Sequence, residues 1–287
     1  MMCHLIHIGY PKTGSTFLQH WFDGHPQIGY RKGGFAGFTD IWQLAASAAE
    51  HEGDVRCRVT SSETLATPMA TRRAVADAGV LQSLAISERR ACDLLGTVFP
   101  GSSVLIVTRG FRSMILSSYS QYVRTGGHRT LASLVSDAAS EQVWHYDRLI
   151  RLYRERFGAG RVIVLPFELL RDDTARFLQT LEARLDLDPA PFAPMRVNEA
   201  LSPFELAWYP RLATIAQRIS PRLSSTLQRL SFTNRLRRPI GLLQRLRPLQ
   251  PIDAALIDDA ILAPYRGCAT ALRDLPAYAP YAAEYLI

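Results

Sequence analysis

The stretch His7-Ile8-Gly9-Tyr10-Pro11-Lys12-Thr13-Gly14-Ser15-Thr16-Phe17-Leu18 constrains this chain more than any other. The apolar run from Leu5 to Ile8 predicts a buried strand. Gly9-Tyr10-Pro11 turns the backbone, and Gly14 lets it approach a ligand closely. From Thr16 onward, Phe17, Leu18, Trp21 and Phe22 recur at helical spacing. A strand, a glycine-bearing turn and a helix start together make an anion site. The first amides of a helix have no acceptor within it, and its dipole is positive at that end.

The spelling narrows the anion. Gly9 through Thr16 follows the phosphate-loop template G-x-x-x-x-G-K-[ST] except that Ser15 stands where the lysine belongs. A lysine appears instead at Lys12, inside the loop. The chain carries 33 basic residues, and only Lys12 and Lys32 are lysines. Lysine offers a compact point charge where arginine offers a planar fork. An ammonium placed in this loop therefore points to a chemical need for it; codon bias is the plainer alternative. The spelling Tyr10-Pro11-Lys12-Thr13-Gly14-Ser15-Thr16-Phe17-Leu18 resembles the 5′-phosphosulfate loop of the sulfotransferases. The resemblance implies PAPS (3′-phosphoadenosine 5′-phosphosulfate) as donor. It implies that Lys12 reaches the oxygen between phosphate and sulfate, and that Thr13, Gly14, Ser15 and Thr16 hold the 5′-phosphate. A generic phosphate loop is the alternative.

A second part of the resemblance lies downstream. Ser103 to Thr108 is a continuous apolar run of the kind a strand buried on both faces shows, with Arg109 at its end. A helix over Arg112–Arg124 follows and carries Ser117, eight residues after Arg109. In sulfotransferases an Arg and a Ser so spaced grip the 3′-phosphate, and an arginine fork suits a phosphate dianion. Tyr119 and Tyr122 on that helix suit either an adenine contact or the core. Val59 and its neighbours read as a strand with Ser61-Ser62-Glu63 at its carboxyl end, the edge where parallel sheets bind ligands. The resemblance makes Glu63 the base for the acceptor hydroxyl, although other members use a histidine; helix capping or pairing with an arginine is the alternative. The passage His25-Pro26-Gln27-Ile28 followed by Lys32 resembles one in bacterial sulfotransferases, which implies Lys32 as an acceptor contact; His128, in a Gly126-Gly127 loop, is another candidate. Each also reads as a surface residue.

Further elements complete an alternating α/β pattern. Helices are expected over Ile41–Glu52, Val80–Phe99 and Leu131–Phe157. Arg161–Glu168 reads as a strand with Glu168 structural, and Leu169 opens a helix through Leu185. The tail, with Leu272–Tyr281, resembles the closing helix of bacterial sulfotransferases, but those usually have Asn near Cys268. The alternation predicts a three-layer α/β sandwich around a mostly parallel sheet. The resemblance makes it a phosphate-loop NTPase-like sheet of about five strands. The expected organisation is one domain over 1–287, with a cofactor core at 1–198, a basic helical subregion at 199–252 and a closing segment at 253–287.

Composition sets the remaining limits. From Leu206 to Ile252 nine arginines occur with no acidic residue, against a net charge of +7 for the whole chain. Leucines interleave with them at helical spacing, so 211–247 suits an anionic membrane surface, a polyanion or a plain solvated face. No apolar run is long enough to span a bilayer, and Met1–Leu5 lacks the basic and small-residue features of a secretory leader. The four cysteines form no C-x-x-C pair, so free thiols, no metal and a cytoplasmic location are expected, with peripheral contact at the inner membrane face. The resemblance implies sulfation of a carbohydrate, glycolipid or small hydroxylated acceptor by a bacterial type of enzyme, without nucleic acid as partner. Two rival readings stand beside it: a kinase using ATP and Mg²⁺, and a non-catalytic basic module binding membranes or anionic polymers.

Overall fold

Short apolar runs make the sheet. In the computed structural model the described residues are 3–38, 55–63, 65–66, 84–192, 201–232 and 236–287. The strands are β1 (Cys3–His7), β2 (Ile28–Tyr30), β3 (Cys57–Ser61), β4 (Ser103–Thr108) and β5 (Val162–Pro166). They form one five-stranded sheet in the order β2-β3-β1-β4-β5, and every neighbouring pair is parallel. This is the α/β sheet expected from the sequence, flanked by helices. Val104 to Val107 on β4 are wholly buried, as a strand covered on both faces requires. The sequence order doubles back at β1, with β2 and β3 on one side and β4 and β5 on the other. Such a reversal opens a crevice at the carboxyl ends of the strands.

Helix α1 (Ser15–Gly24) buries Leu18, Trp21 and Phe22, one helical stripe, against the sheet. Each such side chain is worth roughly 1.5–3 kcal/mol relative to exposure. Helix α2 covers Leu84–Val98 and α3 covers Phe111–Arg124. The helix expected over Ile41–Glu52, and residues 80–83 of the next, lie outside the described residues. The helix expected over Leu131–Phe157 is two helices, α4 (Leu131–Ser140) and α5 (Tyr146–Phe157). Gln142 takes a left-handed φ of 52° between them, and the His145 side chain caps α5 by accepting from the Arg148 amide. Likewise β5 stops at Pro166 rather than Glu168. Helices α6 (Phe167–Asp172) and α7 (Thr174–Leu185) replace a single helix, because the Asp173 carboxylate accepts from the Arg176 amide and starts a second one.

Residues group into two compact units. The first comprises Met1–Gly110, Glu141–Val197 and Gly267–Ile287 and contains the sheet. Its closing segment is a series of short turns ending in a four-residue helix at Ala282–Tyr285, not one long helix. Pro276 and Pro280 account for this, since proline removes a donor and clashes with the preceding turn.

The second unit comprises Phe111–Ser140 and Asn198–Arg266. It holds α3, α4 and the basic helices α8 (Pro203–Ile219), α9 (Pro221–Phe232) and α10 (Arg237–Leu246). A capping box of Ser202 and Glu205 starts α8. Phe111 stacks on Tyr265 at 5.5 Å, and Met114, Tyr119 and Trp208 are buried in the same unit. Among the described residues no helix is long and apolar enough to cross a membrane.

Candidate active site

Three loops leave the same edge of the sheet from neighbouring strands. The loop after β1 is Ile8–Gly14, the turn after β3 carries Glu63, and the turn after β4 is Arg109–Gly110. Ser62 donates to the His7 carbonyl at 3.0 Å, and Ile8 donates to the Leu105 carbonyl at 3.0 Å. Sheet hydrogen bonding thus continues into the roots of the first two loops.

The loop after β1 meets α1 in a way that leaves donors open. Gly14 is the residue before the helix and sits at φ 86°, a left-handed conformation that favours glycine. A Cβ there would lie 2.6 Å from Leu170 Cδ2, so space as well as conformation demands glycine. No side chain caps α1 and its first turn has no acidic residue. The first backbone hydrogen bond of the helix runs from Leu18 N to Gly14 O, so the amides of Ser15, Thr16 and Phe17 have no acceptor within it. The Ser15 hydroxyl is buried without a hydrogen-bond partner. An uncapped helix start, open amides and an idle hydroxyl fit an anion such as a phosphate group. Thr13, wholly buried, instead ties the loop to itself, its Oγ1 donating to the Tyr10 carbonyl at 2.6 Å. Thr16 is exposed. Lys12 is half-buried and takes a left-handed φ of 72°, strain that non-glycine residues show mainly at functional loops.

Arg109 reaches this loop, though not in the way its sequence position suggests. Its Nη1 donates to the Lys12 carbonyl at 2.8 Å, and its guanidinium lies 4.5 Å from the centre of the Phe167 ring. Burial lowers its pKa, an effect that Glu168 opposes. Glu168 is fully buried and accepts from the Gly110 amide at 3.0 Å and from the Tyr285 hydroxyl. Tyr146 donates its hydroxyl to the Arg109 carbonyl, and Tyr278 shares a hydrogen bond with Thr108. The turn after β4 is therefore clasped by side chains from α5, α6 and the closing segment. Nothing in the local sequence around Arg109 signals these partners.

The other candidates are placed as follows. Glu63 is half-buried in its turn and makes no side-chain hydrogen bond among the described residues. Lys32 is exposed in the turn after β2, at the same edge of the sheet. Ser117 belongs to the second unit, where it is half-buried on α3, whereas Arg109 belongs to the first. In the second unit Tyr119 is buried and donates its hydroxyl to the Arg129 carbonyl, while Tyr122 accepts from the Arg129 amide. Both tyrosines thus hold the loop of His128 against α3. His128 is exposed and lines a cavity of about 260 Å³ that Tyr119, Ala207, Pro210 and Arg211 also line.

Sequence reasoning passed over His7. It is fully buried, and its Nδ1 lies 2.8 Å from Ser61 Oγ. The only hint was a histidine inside an apolar strand.

No curated protein matches the sequence. A sulfotransferase from Alicyclobacillus acidocaldarius has a similar fold, with a TM-score of 0.50 and 15% identity over 79% of this chain and 96% of that one. The mouse sulfotransferase SULT7A1 complexed with PAP matches more loosely, at TM-score 0.37 and 14% identity over 76% of this chain and 66% of that one. The model of the sulfotransferase family matches residues 5–191, which contain all of the sheet but the first two residues of β1, together with the loop after β1 and the turns bearing Glu63 and Arg109. The chain belongs to the sulfotransferase family.

Proposed function

We propose that this transferase moves the sulfuryl group of PAPS to a hydroxyl or amine of an acceptor, with a carbohydrate or glycolipid as the acceptor class. The observation that carries this reading is the uncapped start of α1, where the buried Ser15 hydroxyl and open amides meet a loop whose cation is Lys12. The amides from Thr13 to Thr16 hold the 5′-phosphate. Arg109 and Ser117 serve the 3′-phosphate, and Arg109 also keeps the loop in shape through the Lys12 carbonyl. The acceptor oxygen attacks sulfur as the bond from sulfur to the 5′-phosphate oxygen breaks. Glu63 takes the acceptor's proton. Lys12 stabilises the charge that grows on the departing phosphate oxygen, a preorganised interaction worth ~3 kcal/mol of barrier. Lys32 and His128 contact the acceptor.

Calorimetry with PAP and with Mg²⁺-ATP tests the donor. PAP binding tighter than Mg²⁺-ATP binding is expected; the reverse order supports the kinase reading and overturns this one. Labelled PAPS offered to cell-extract fractions identifies the acceptor class. In that assay Lys12→Ala and Glu63→Ala are expected to abolish transfer while leaving the fold intact, and unchanged transfer removes both residues from the mechanism.

A second observation bears on location. Ile219 is 67% exposed and Leu246 76% exposed, and both lie in helices whose charges are all arginine after Glu205. Aliphatic side chains among so many arginines suit the surface of an anionic bilayer, which makes the protein peripheral at the cytoplasmic face. Sedimentation with phosphatidylserine vesicles that survives replacement of Arg237, Arg238, Arg245 and Arg247 by Gln overturns this part.

A further inference from the structure

His7 ends β1 directly opposite Ser61, the last residue of β3, in the parallel register. Two bonds join these strand ends: His7 Nδ1 to Ser61 Oγ at 2.8 Å, and the Ser62 amide to the His7 carbonyl at 3.0 Å. Glu63 follows one residue later. Gln19, on α1, donates to the same Ser61 oxygen at 3.4 Å. Ser61 Oγ thus bonds both Gln19 and the imidazole, which one hydroxyl with a donor and two lone pairs allows. Burial pushes the imidazole pKa down to about 4, so the ring is neutral. Nε2 is buried and has no hydrogen-bond partner. It lies under the phosphate loop, for a Cβ on Gly9 would stand 2.7 Å from it and 3.2 Å from Thr13 Oγ1. Phe22 of α1 closes the pocket edge-on, with ring centres 5.8 Å apart. One imidazole therefore touches the loop that meets the anion, packs against the helix that follows it and bonds to the strand that carries the candidate base.

The geometry points to His7 as a positioning residue that couples occupancy of the phosphate loop to the turn of Glu63. This rests on the reading of those two loops given above. When an anion settles on the open amides, the loop backbone at Gly9 and Thr13 tightens over Nε2. The ring then transmits the constraint through Nδ1 to Ser61. Coupling between two sites in one protein is typically ~5–150-fold.

Hydrogen exchange of the full chain, read by mass spectrometry over residues 57–63, tests this without any acceptor. In wild type, saturating PAP is expected to slow exchange of this segment at least ~5-fold, the lower end of that coupling range. His7→Leu keeps the bulk but not the bonds; it is expected to bind PAP and lose the slowing. His7→Asn places an amide nitrogen or oxygen where Nδ1 was and is expected to retain it. His7→Gln reaches only the Nε2 position and is expected to lose it, and Ser61→Ala is expected to match His7→Leu. PAP-dependent slowing that persists in His7→Leu and Ser61→Ala overturns the coupling. If His7→Leu fails to fold, the Asn and Gln variants decide: equal behaviour of the two overturns the proposal. If wild type binds Mg²⁺-ATP in place of PAP, the donor reading fails, and the same measurement with Mg²⁺-ATP still tests His7. If it binds neither, the loop is no anion site and the proposal falls with it.

Discussion

Replacing Glu168 by Leu and by Gln should give two very different losses of stability. The carboxylate is fully buried and accepts from the Gly110 amide at 3.0 Å and from the Tyr285 hydroxyl. Leucine leaves both donors buried without an acceptor, and each such orphan costs ~1–3 kcal/mol. It also removes the negative charge that opposes the desolvation of Arg109. The sum is about 4 kcal/mol, a large part of the ~5–15 kcal/mol that holds a typical domain folded. Glutamine keeps an oxygen for Gly110 and offers its amide hydrogens to the tyrosine oxygen, so only the charge-assisted part is lost, about 1–2 kcal/mol. Urea unfolding followed by tryptophan fluorescence measures both. Because Arg109 donates to the Lys12 carbonyl, the leucine variant should also bind PAP more weakly than the glutamine one. A leucine variant that loses less than ~1 kcal/mol, or a glutamine variant that loses as much as leucine, refutes the network described here.

Three further outcomes follow from the same geometry. Gly14→Ala should cost ~1–3 kcal/mol for its left-handed conformation and weaken PAP binding, because its Cβ would also meet Leu170 at 2.6 Å; wild-type calorimetry would contradict it. His7 is held neutral down to about pH 4, whereas the unfolded chain takes up that proton near pH ~6.5. The unfolded state therefore binds more protons between those values, so stability is intact above ~6.5 and drains by about 3 kcal/mol as pH falls to 4. Urea midpoints that do not move across that window, or that move equally in His7→Asn, count against it. Cys57 and Cys92 are buried while Cys3 and Cys268 are half-buried. A thiol reagent should thus label at most two cysteines quickly in the native protein and all four after denaturation; rapid labelling of four would place a buried thiol wrongly.

Much of the framework of this candidate site was legible because its signals are local. The apolar run at Val104–Val107, the glycine before α1 and a glutamate after a strand each report their own surroundings. Breaks inside helical stretches were not legible, since the apolar spacing of Leu131–Phe157 continues across the turn at Gln142 and periodicity cannot register one residue with positive φ. The prolines at 276 and 280 did carry a signal against a long closing helix. Least legible were the bonds that hold the loops. Arg109 meets Lys12 across 97 residues, Glu168 meets Gly110 across 58 and His7 meets Ser61 across 54. No pattern within a window of a dozen residues contains such pairs; they exist only once strand order and register are set.

Register carries the consequence furthest. Leu5 lies opposite Val59 and His7 opposite Ser61, so the match of wholly buried side chains in mid-strand determines which residue faces the imidazole at the strand ends. A slip of one residue would move the Glu63 turn by ~3.3 Å along the strand and send the Ser61 hydroxyl to the other face of the sheet. The candidate base, two residues beyond Ser61, would then leave the sheet at a different height from the loop after β1. The apolar residues of β1 and β3 thus do more than fill the core. By holding one register between two strands they bring the loop after β1 and a carboxylate to the same edge, and an overpacked core at Val59 should misplace the carboxylate without touching it.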